Sequence, residues 1–308
     1  MEPQVNIQTS TPPSTGGTPA QTKGLSPWAI ARKKFLRNKL AMGSLVVLLL
    51  IAGLSIFAEP LTMPMEETAK QNIMALSKQP GDEYILGTDK QGRDVFARLL
   101  HGGKISLTLA FSITSIILII GSLVGSMAGY FGGKVDAVLM RFVDFVMTFP
   151  FLLFVIVVQA TFGGGGIISL ILVISLLSWG GVARMVRGKI MAEKENEYIL
   201  AAVSIGCKTH QVILKHLIPN VLSTIIVNGT LILASMIVAE TALSFLGFGV
   251  PLTTPTWGNM LQEARSPDVL AQKIWIWIPP AAVLTTTILC INFIGEGLKD
   301  ALNPKSFR

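Results

Sequence analysis

The sequence predicts an all-α, polytopic membrane protein with six transmembrane helices. Three observations carry that prediction. Of 308 residues, 51% are hydrophobic and only 14% charged, with a mean hydropathy of +0.60, too apolar a balance for a soluble domain of this size. The apolar residues gather into six runs of about 17–25 residues, the length a helix needs to cross a hydrocarbon core. Between these runs Lys and Arg alternate by side, 17 against 8, as expected when cytoplasmic segments retain positive charge. The formal net charge of +7 therefore reports orientation in a membrane, and no nucleic-acid partner is implied. Two cysteines far apart, Cys207 and Cys290, exclude a disulfide-stapled secreted fold.

Residues 1–26, rich in Thr, Pro, Ser and Gly, offer too little apolar surface to offset the entropy of ordering and are expected to form a disordered cytoplasmic tail. Residues 27–58 combine a basic stretch, Arg32, Lys33, Lys34, Arg37 and Lys39, with a first span over Leu40–Ala58. A cleaved signal peptide would also begin basic, but this core and the tail before it are long, and further spans follow. Residues 59–104 form an outer loop that includes Glu59, Pro60 and the run Leu86-Gly87-Thr88-Asp89-Lys90-Gln91-Gly92-Arg93-Asp94. The membrane core, 105–294, holds spans at Ile105–Gly129, Phe142–Phe162, Ile167–Ala183, Val221–Phe245 and Trp275–Ile294. Gly121, Gly125, Ser126 and Gly129 fall at helical spacing and suit close helix contact. Gly163–Gly166 reads as an outer turn, Trp275 and Trp277 as an interfacial anchor, and 295–308 as a second cytoplasmic tail.

The loop at about 184–220 is the most informative stretch. Within Glu193–Ile205, Tyr198, Ala202 and Ile205 fall at i, i+4 and i+7, so a surface helix with one weakly apolar face is expected, ending at Gly206. Thr209 is placed to cap a second short helix through Val212, Ile213 and Leu217, and Pro219 to start the fifth span. Ala201, Ala202 and Gly206 carry little or no side chain, which would let this backbone sit deep in a partner's groove.

Ala201-Ala202-x3-Gly206, followed by His216-Leu217-Ile218-Pro219, resembles the EAA loop of ABC-importer permeases. Glu197-Tyr198-Ile199-Leu200-Ala201-Ala202 with His216-Leu217-Ile218-Pro219-Asn220 is similar to the dipeptide, oligopeptide and nickel permease group. Leu200 stands where the general pattern has Glu, and His216 where it has a β-branched aliphatic. The likeness extends to Leu86-Gly87-Thr88-Asp89 with Gly92-Arg93-Asp94, Arg141 and Asp144 with Pro150, Leu243–Gly249 with Trp257-Gly258-Asn259-Met260-Leu261, and Gly297-Leu298 with Asp300-Ala301-Leu302 and Pro304. It covers residues 25–306.

The resemblance implies the type I importer permease fold in a bacterial cell membrane, with both termini cytoplasmic. It also implies partners: a homologous second permease, two cytoplasmic ATPases and an external substrate-binding lipoprotein, all in contact with membrane lipid. ATP and Mg would reside on the ATPases, with no cofactor in this chain and no enzymatic activity of its own. Glu197, Ala201, Ala202, Gly206, His216 and Pro219 would then couple it to the ATPases. The expected substrate is an oligopeptide or dipeptide, with a nickel chelate or another small solute as the alternative.

The residues themselves agree that this chain is no motor. Gly102-Gly103-Lys104 and Gly132-Gly133-Lys134 lack the glycine spacing and the following Ser or Thr of a phosphate-cradling loop. Cys207, His210 and His216 lack a fourth ligand at zinc spacing. Asp144 and Glu240 are the acids inside predicted spans, where a carboxylate faces water or a partner. Asp144, three residues beyond Arg141, suits a structural ion pair, and Glu240 is the better translocation-pathway candidate. An intramembrane hydrolase using both acids, or a channel, belongs to a different class and leaves the EAA-like loop unexplained.

Overall fold

The computed structural model of the protein describes residues 27–161 and 166–302. The expected tail 1–26, most of the Gly163–Gly166 turn, Pro304, Lys305 and Arg308 lie outside the described residues. Among those described, regular structure is helical, apart from one isolated antiparallel bridge between Thr88 and Asp94. The helices that matter here are α1 (Pro27–Arg37), α2 (Lys39–Ile56), α3 (Val95–Phe131), α4 (Gly133–Thr148), α5 (Phe151–Thr161), α6 (Gly166–Ser178), α7 (Gly180–Glu193), α8 (Glu197–Ser204), α9 (Thr209–Leu246), α10 (Trp257–Leu261) and α11 (Ile274–Leu302).

Four of them, α2, α3, α9 and α11, are long and apolar enough to span a membrane singly. The pairs α4–α5 and α6–α7 are bent by 75° and 42°, and counting each as one broken span gives the expected six. Pro150 causes the first break: it has no N–H to donate and pushes Phe149 into an extended conformation, φ −72° and ψ 129°. The second break falls at Trp179, just before Gly180 and Gly181.

Several boundaries move from their predicted places. α3 starts ten residues before Ile105, because the Asp94 side chain accepts the N–H groups of Phe96 and Ala97 at 2.7 and 3.1 Å and caps the helix there. Hydropathy hid this start: Arg98, His101 and Lys104 interrupt the apolar run, yet Arg98 and His101 are buried and bonded to backbone carbonyls. At the other end of the chain α11 runs past Ile294 to Leu302. Thr209 is not a cap, since the N-cap is Lys208, whose backbone N–H donates to the Gln211 side chain. Pro219 does lie in the first turn of the α-helical stretch Ile218–Leu246, but that stretch is continuous with the turns before it. One helix runs from Thr209 to Leu246 through a π turn at Val212–Leu217, where the Ile218 N–H reaches back five residues to Ile213. The wider turn lies immediately before a residue that has no N–H of its own to donate.

Packing centres on α3, whose Gly121, Gly125 and Gly129 lie directly against Val182, Ala183, Val186 and Ile190 of α7. A Cβ at Gly121 would stand 2.6 Å from that of Val182, so the helical spacing of small residues serves close approach. α11 packs against α2, with Gly297 on Ala41, and α9 packs against α3 and α11. Lys34 donates to the Asp300 carbonyl, while Ser55 of α2 sits against Gly103 of α3. Helix order then places the segments bordering both termini and the 193–208 loop at one end, and residues 62–94 and 247–273 at the other.

Candidate coupling surface and polar sites

At the first end, α7 stops at Glu193 and Lys194 Nζ donates to the Gly129 carbonyl at 3.2 Å, fixing the loop to the base of α3. The Glu193 carboxylate accepts from Asn196 (2.7 Å) and from the Tyr198 hydroxyl (2.9 Å), and Asn220 of α9 donates to the same hydroxyl at 2.6 Å. Tyr198 thus ties α8 to the helices on either side. Burial and the Glu193 carboxylate push its phenol above the ordinary range.

α8 ends in a Schellman turn, with the Cys207 N–H bonded to the Ala202 carbonyl at 3.1 Å and Gly206 at φ +85°. That conformation is the reason for glycine here, because no described residue lies within 4 Å of where its Cβ would be. Glu197, Ala201 and Gly206 are exposed, as is Pro219, while His216 is half-buried and lends its carbonyl to Asn220. Ala202 faces inward. The predicted stripe of Tyr198, Ala202 and Ile205 therefore does not hold together: Ile199 and Ala202 form the buried edge, near Val212 and Leu217, and Ile205 is 81% exposed. Ile205 lies past the last helical turn, at the cap, where helical spacing no longer sets direction. What the loop offers outward is Leu200, Val203 and Ile205, beside a groove of about 430 Å³ lined by Tyr130, Lys194, Glu195 and Ser204 among others.

Asp144 makes an ion pair, but with Arg184 of α7 at 2.5 Å rather than with Arg141. A second pair that the sequence did not suggest, Asp136 with Arg187, joins the same two helices. Glu240, expected on the pathway, is fully buried within the chain, where it accepts from Ser244 at 2.7 Å, and its second oxygen has no hydrogen-bond partner among the described residues. Residue 240 falls on the inner side of α9, under α10, and sequence alone cannot tell that side from one facing a channel.

At the opposite end the run Leu86–Asp94 folds into a polar knot. Asp89 accepts the backbone N–H groups of Gln91 and Arg93 and the Arg93 Nε at 2.6 Å, with Arg98 3.7 Å away. Arg93 reaches Glu263 at 3.2 Å, and the Lys90 N–H donates to the same carboxylate. Burial, with Asp89 beside it, raises the Glu263 carboxyl above its usual range. Trp275 is no free interfacial anchor: its Nε1 donates to the Thr88 carbonyl at 3.2 Å, joining α11 to the knot. In the sequence the 86–94 run shows family likeness but no role of its own. Its clustered charges ahead of an apolar run, with Arg98 inside the helix, were the available signal.

Residues 121–308, which carry the loop, α9 and α11, match the family model described as binding-protein-dependent transport system inner membrane component. The chain belongs to this family. Residues 26–80 also match the N-terminal transmembrane domain of oligopeptide transport permease C. The permease is 38% identical over 286 residues to the oligopeptide transport system permease protein OppC of Escherichia coli strain K12, an alignment covering 92% of this chain and 93% of that protein. OppC of Haemophilus influenzae is 38% identical over 286 residues (92% and 91%), and OppC of Bacillus subtilis 35% over 283 (92% and 91%). The permease is thus a multi-pass membrane protein of the importer type, and its polar knot and exposed loop lie at opposite ends of one helical bundle.

Proposed function

We propose that the permease forms half of the translocation pathway of an ATP-driven importer for oligopeptides, beside a homologous second permease. The observation that carries this reading is its identity to oligopeptide permease subunits of three bacteria over nearly the whole chain. An external lipoprotein receptor delivers peptide to the end bearing the knot. Two ATPases, holding ATP and Mg, dock at the other end, which is cytoplasmic together with both termini. The charge distribution supports that orientation, with 17 of 25 Lys and Arg residues assigned to that side.

In the coupling step, α8 and its Gly206 turn sit in a groove of the ATPase. Leu200, Val203 and Ile205 supply the apolar contact that the chain itself leaves uncovered, with Glu197 and Ala201 at the edge. Ala202, His216 and Pro219 act from within: Ala202 seats α8 on the chain, and Pro219 follows the π turn that leads movement of the loop into α9. The chain by itself neither binds nor hydrolyses ATP.

Uptake of a labelled tripeptide by cells that lack their own peptide permeases, supplied with the complete importer, tests the reading. Peptide accumulation that needs this chain supports it. Accumulation of a nickel chelate without peptide uptake would replace the substrate, and uptake without any ATPase would remove the importer assignment. Orientation has its own check: an impermeant thiol reagent applied to intact cells should label Gln79→Cys and spare Thr209→Cys.

A further inference from the structure

α4 is thinly held. Of Gly133–Thr148 only Val143 is buried, whereas α7 beside it buries Gly180, Val182, Ala183, Val186 and Ile190 and interlocks with the glycines of α3. Both ends of α4 are joints. Gly132 and Gly133 have φ of +64° and +50°, conformations that residues with a Cβ resist, and Phe149–Pro150 marks the 75° bend into α5.

Between the joints two ion pairs fasten α4 to α7. Arg187 grips both oxygens of Asp136 in the first turn, the second at 2.5 Å, and Arg184 holds Asp144, one turn before the end, at 2.5 Å. The two acids are about two helical turns apart. The Asp144–Arg184 pair is half-exposed, at 56% and 49%, and within a span such a pair faces water or another protein surface in preference to lipid. Phe142 and Phe145, both exposed, flank it on α4.

We propose that α4 is the moving gate of the permease, latched to α7 by Asp136–Arg187 and Asp144–Arg184 and hinged at Gly132–Gly133 and Phe149–Pro150. The proposal rests on the importer reading above. α3 and α7, locked together through glycine contacts, form the fixed wall, and α7 runs directly into the coupling loop. Asp144–Arg184 is exposed enough to be weak and to open and re-form in each cycle, which a deeply packed apolar seam is not, and Asp136–Arg187, more covered at 15% and 33%, is the firmer of the two. The four residues are positioning residues, acting through the placement of α4.

The test uses the complete importer in proteoliposomes. Asp136→Arg and Arg187→Asp, singly, should cut peptide uptake at least about tenfold, since like charges then replace an attractive pair. The double reversal should restore uptake to within about threefold, a rescue that requires the two charges to act on each other. The Asp144 and Arg184 reversals should follow the same pattern. Normal uptake by the single variants, or no rescue by the double ones, overturns the latch. A second measurement keeps the salt bridges intact: spin labels at Val138→Cys and Ala192→Cys, with Cys207 and Cys290 replaced, should change separation between the nucleotide-free and the ATP-trapped complex. A constant separation overturns the moving gate. Failure of the unaltered importer to take up peptide would instead overturn the functional reading itself.

Discussion

The polar knot at one end of the bundle and the 193–208 loop at the other dispose of their side chains in opposite ways. At the end bearing residues 62–94 and 247–273, charged side chains are turned inward and satisfied against one another: Asp89, Arg93 and Arg98 are nearly buried and Glu263 mostly so. At the end bearing the 193–208 loop, apolar side chains are turned outward, with Leu200, Val203 and Ile205 uncovered by their own chain. The knot satisfies its charges within one chain, although Ile73 and Met74 at the same end are 81% and 90% exposed, and its residues are expected to matter to folding. The loop's outward apolar face is the one that the proposed ATPase docking would cover. Equal prominence of two motifs in the sequence therefore does not mean equal roles.

The largest effect should come from breaking the knot. Removing one partner of a buried, hydrogen-bonded charge set leaves the others uncompensated, typically at a cost of about 3–5 kcal/mol. Asp89→Ala should therefore sharply lower the yield and the thermal midpoint of the detergent-purified permease, whatever its partners do. Wild-type yield and midpoint would show that the knot is not a folding element.

Gly206→Val should come next and act differently. Forcing a β-branched residue to φ +85° costs about 1–3 kcal/mol, but the open space around Gly206 means that no clash inside the chain adds to it. The purified chain should lose less stability than with Asp89→Ala, whereas ATP-driven uptake should be lost. If the variant imports peptide at the normal rate and is normally expressed, the loop is not the coupling element.

Ile205→Asp sharpens the comparison further, because an exposed side chain changes monomer stability by no more than about 0.5 kcal/mol. Its thermal midpoint should match wild type, while affinity for the ATPases should fall roughly tenfold, or about 1.4 kcal/mol. Equal affinity would mean that the outward apolar face is not the contact. The smallest effect is expected for Glu197→Ala: the carboxylate is solvent-exposed, so the loss should stay below about 1 kcal/mol in either measurement. A loss of uptake as large as that of Gly206→Val would reveal a buried role for Glu197 in the assembly.

The all-helical class and the six runs were legible in the sequence because bilayer thickness and backbone hydrogen bonding leave a membrane chain few alternatives. So were the stop at Gly206, set by a local need for positive φ, and the close packing of Gly121, Gly125 and Gly129, which follows from helical spacing. What depends on two distant segments meeting was not legible. Hydropathy could not start α3 at Val95, because Arg98 becomes acceptable inside a helix only when the carbonyls of Thr68 and Leu252 arrive to bind it. The partner of Asp144 could not be read off its neighbour Arg141, because Arg184 comes from forty residues away. Glu240 looked like a pathway residue from its position in a span, and only the folding of residues 247–265 over that side of α9 seals it in. Local periodicity decides where a helix forms and which residues share a side, but which side meets protein, lipid or water is decided by the rest of the chain.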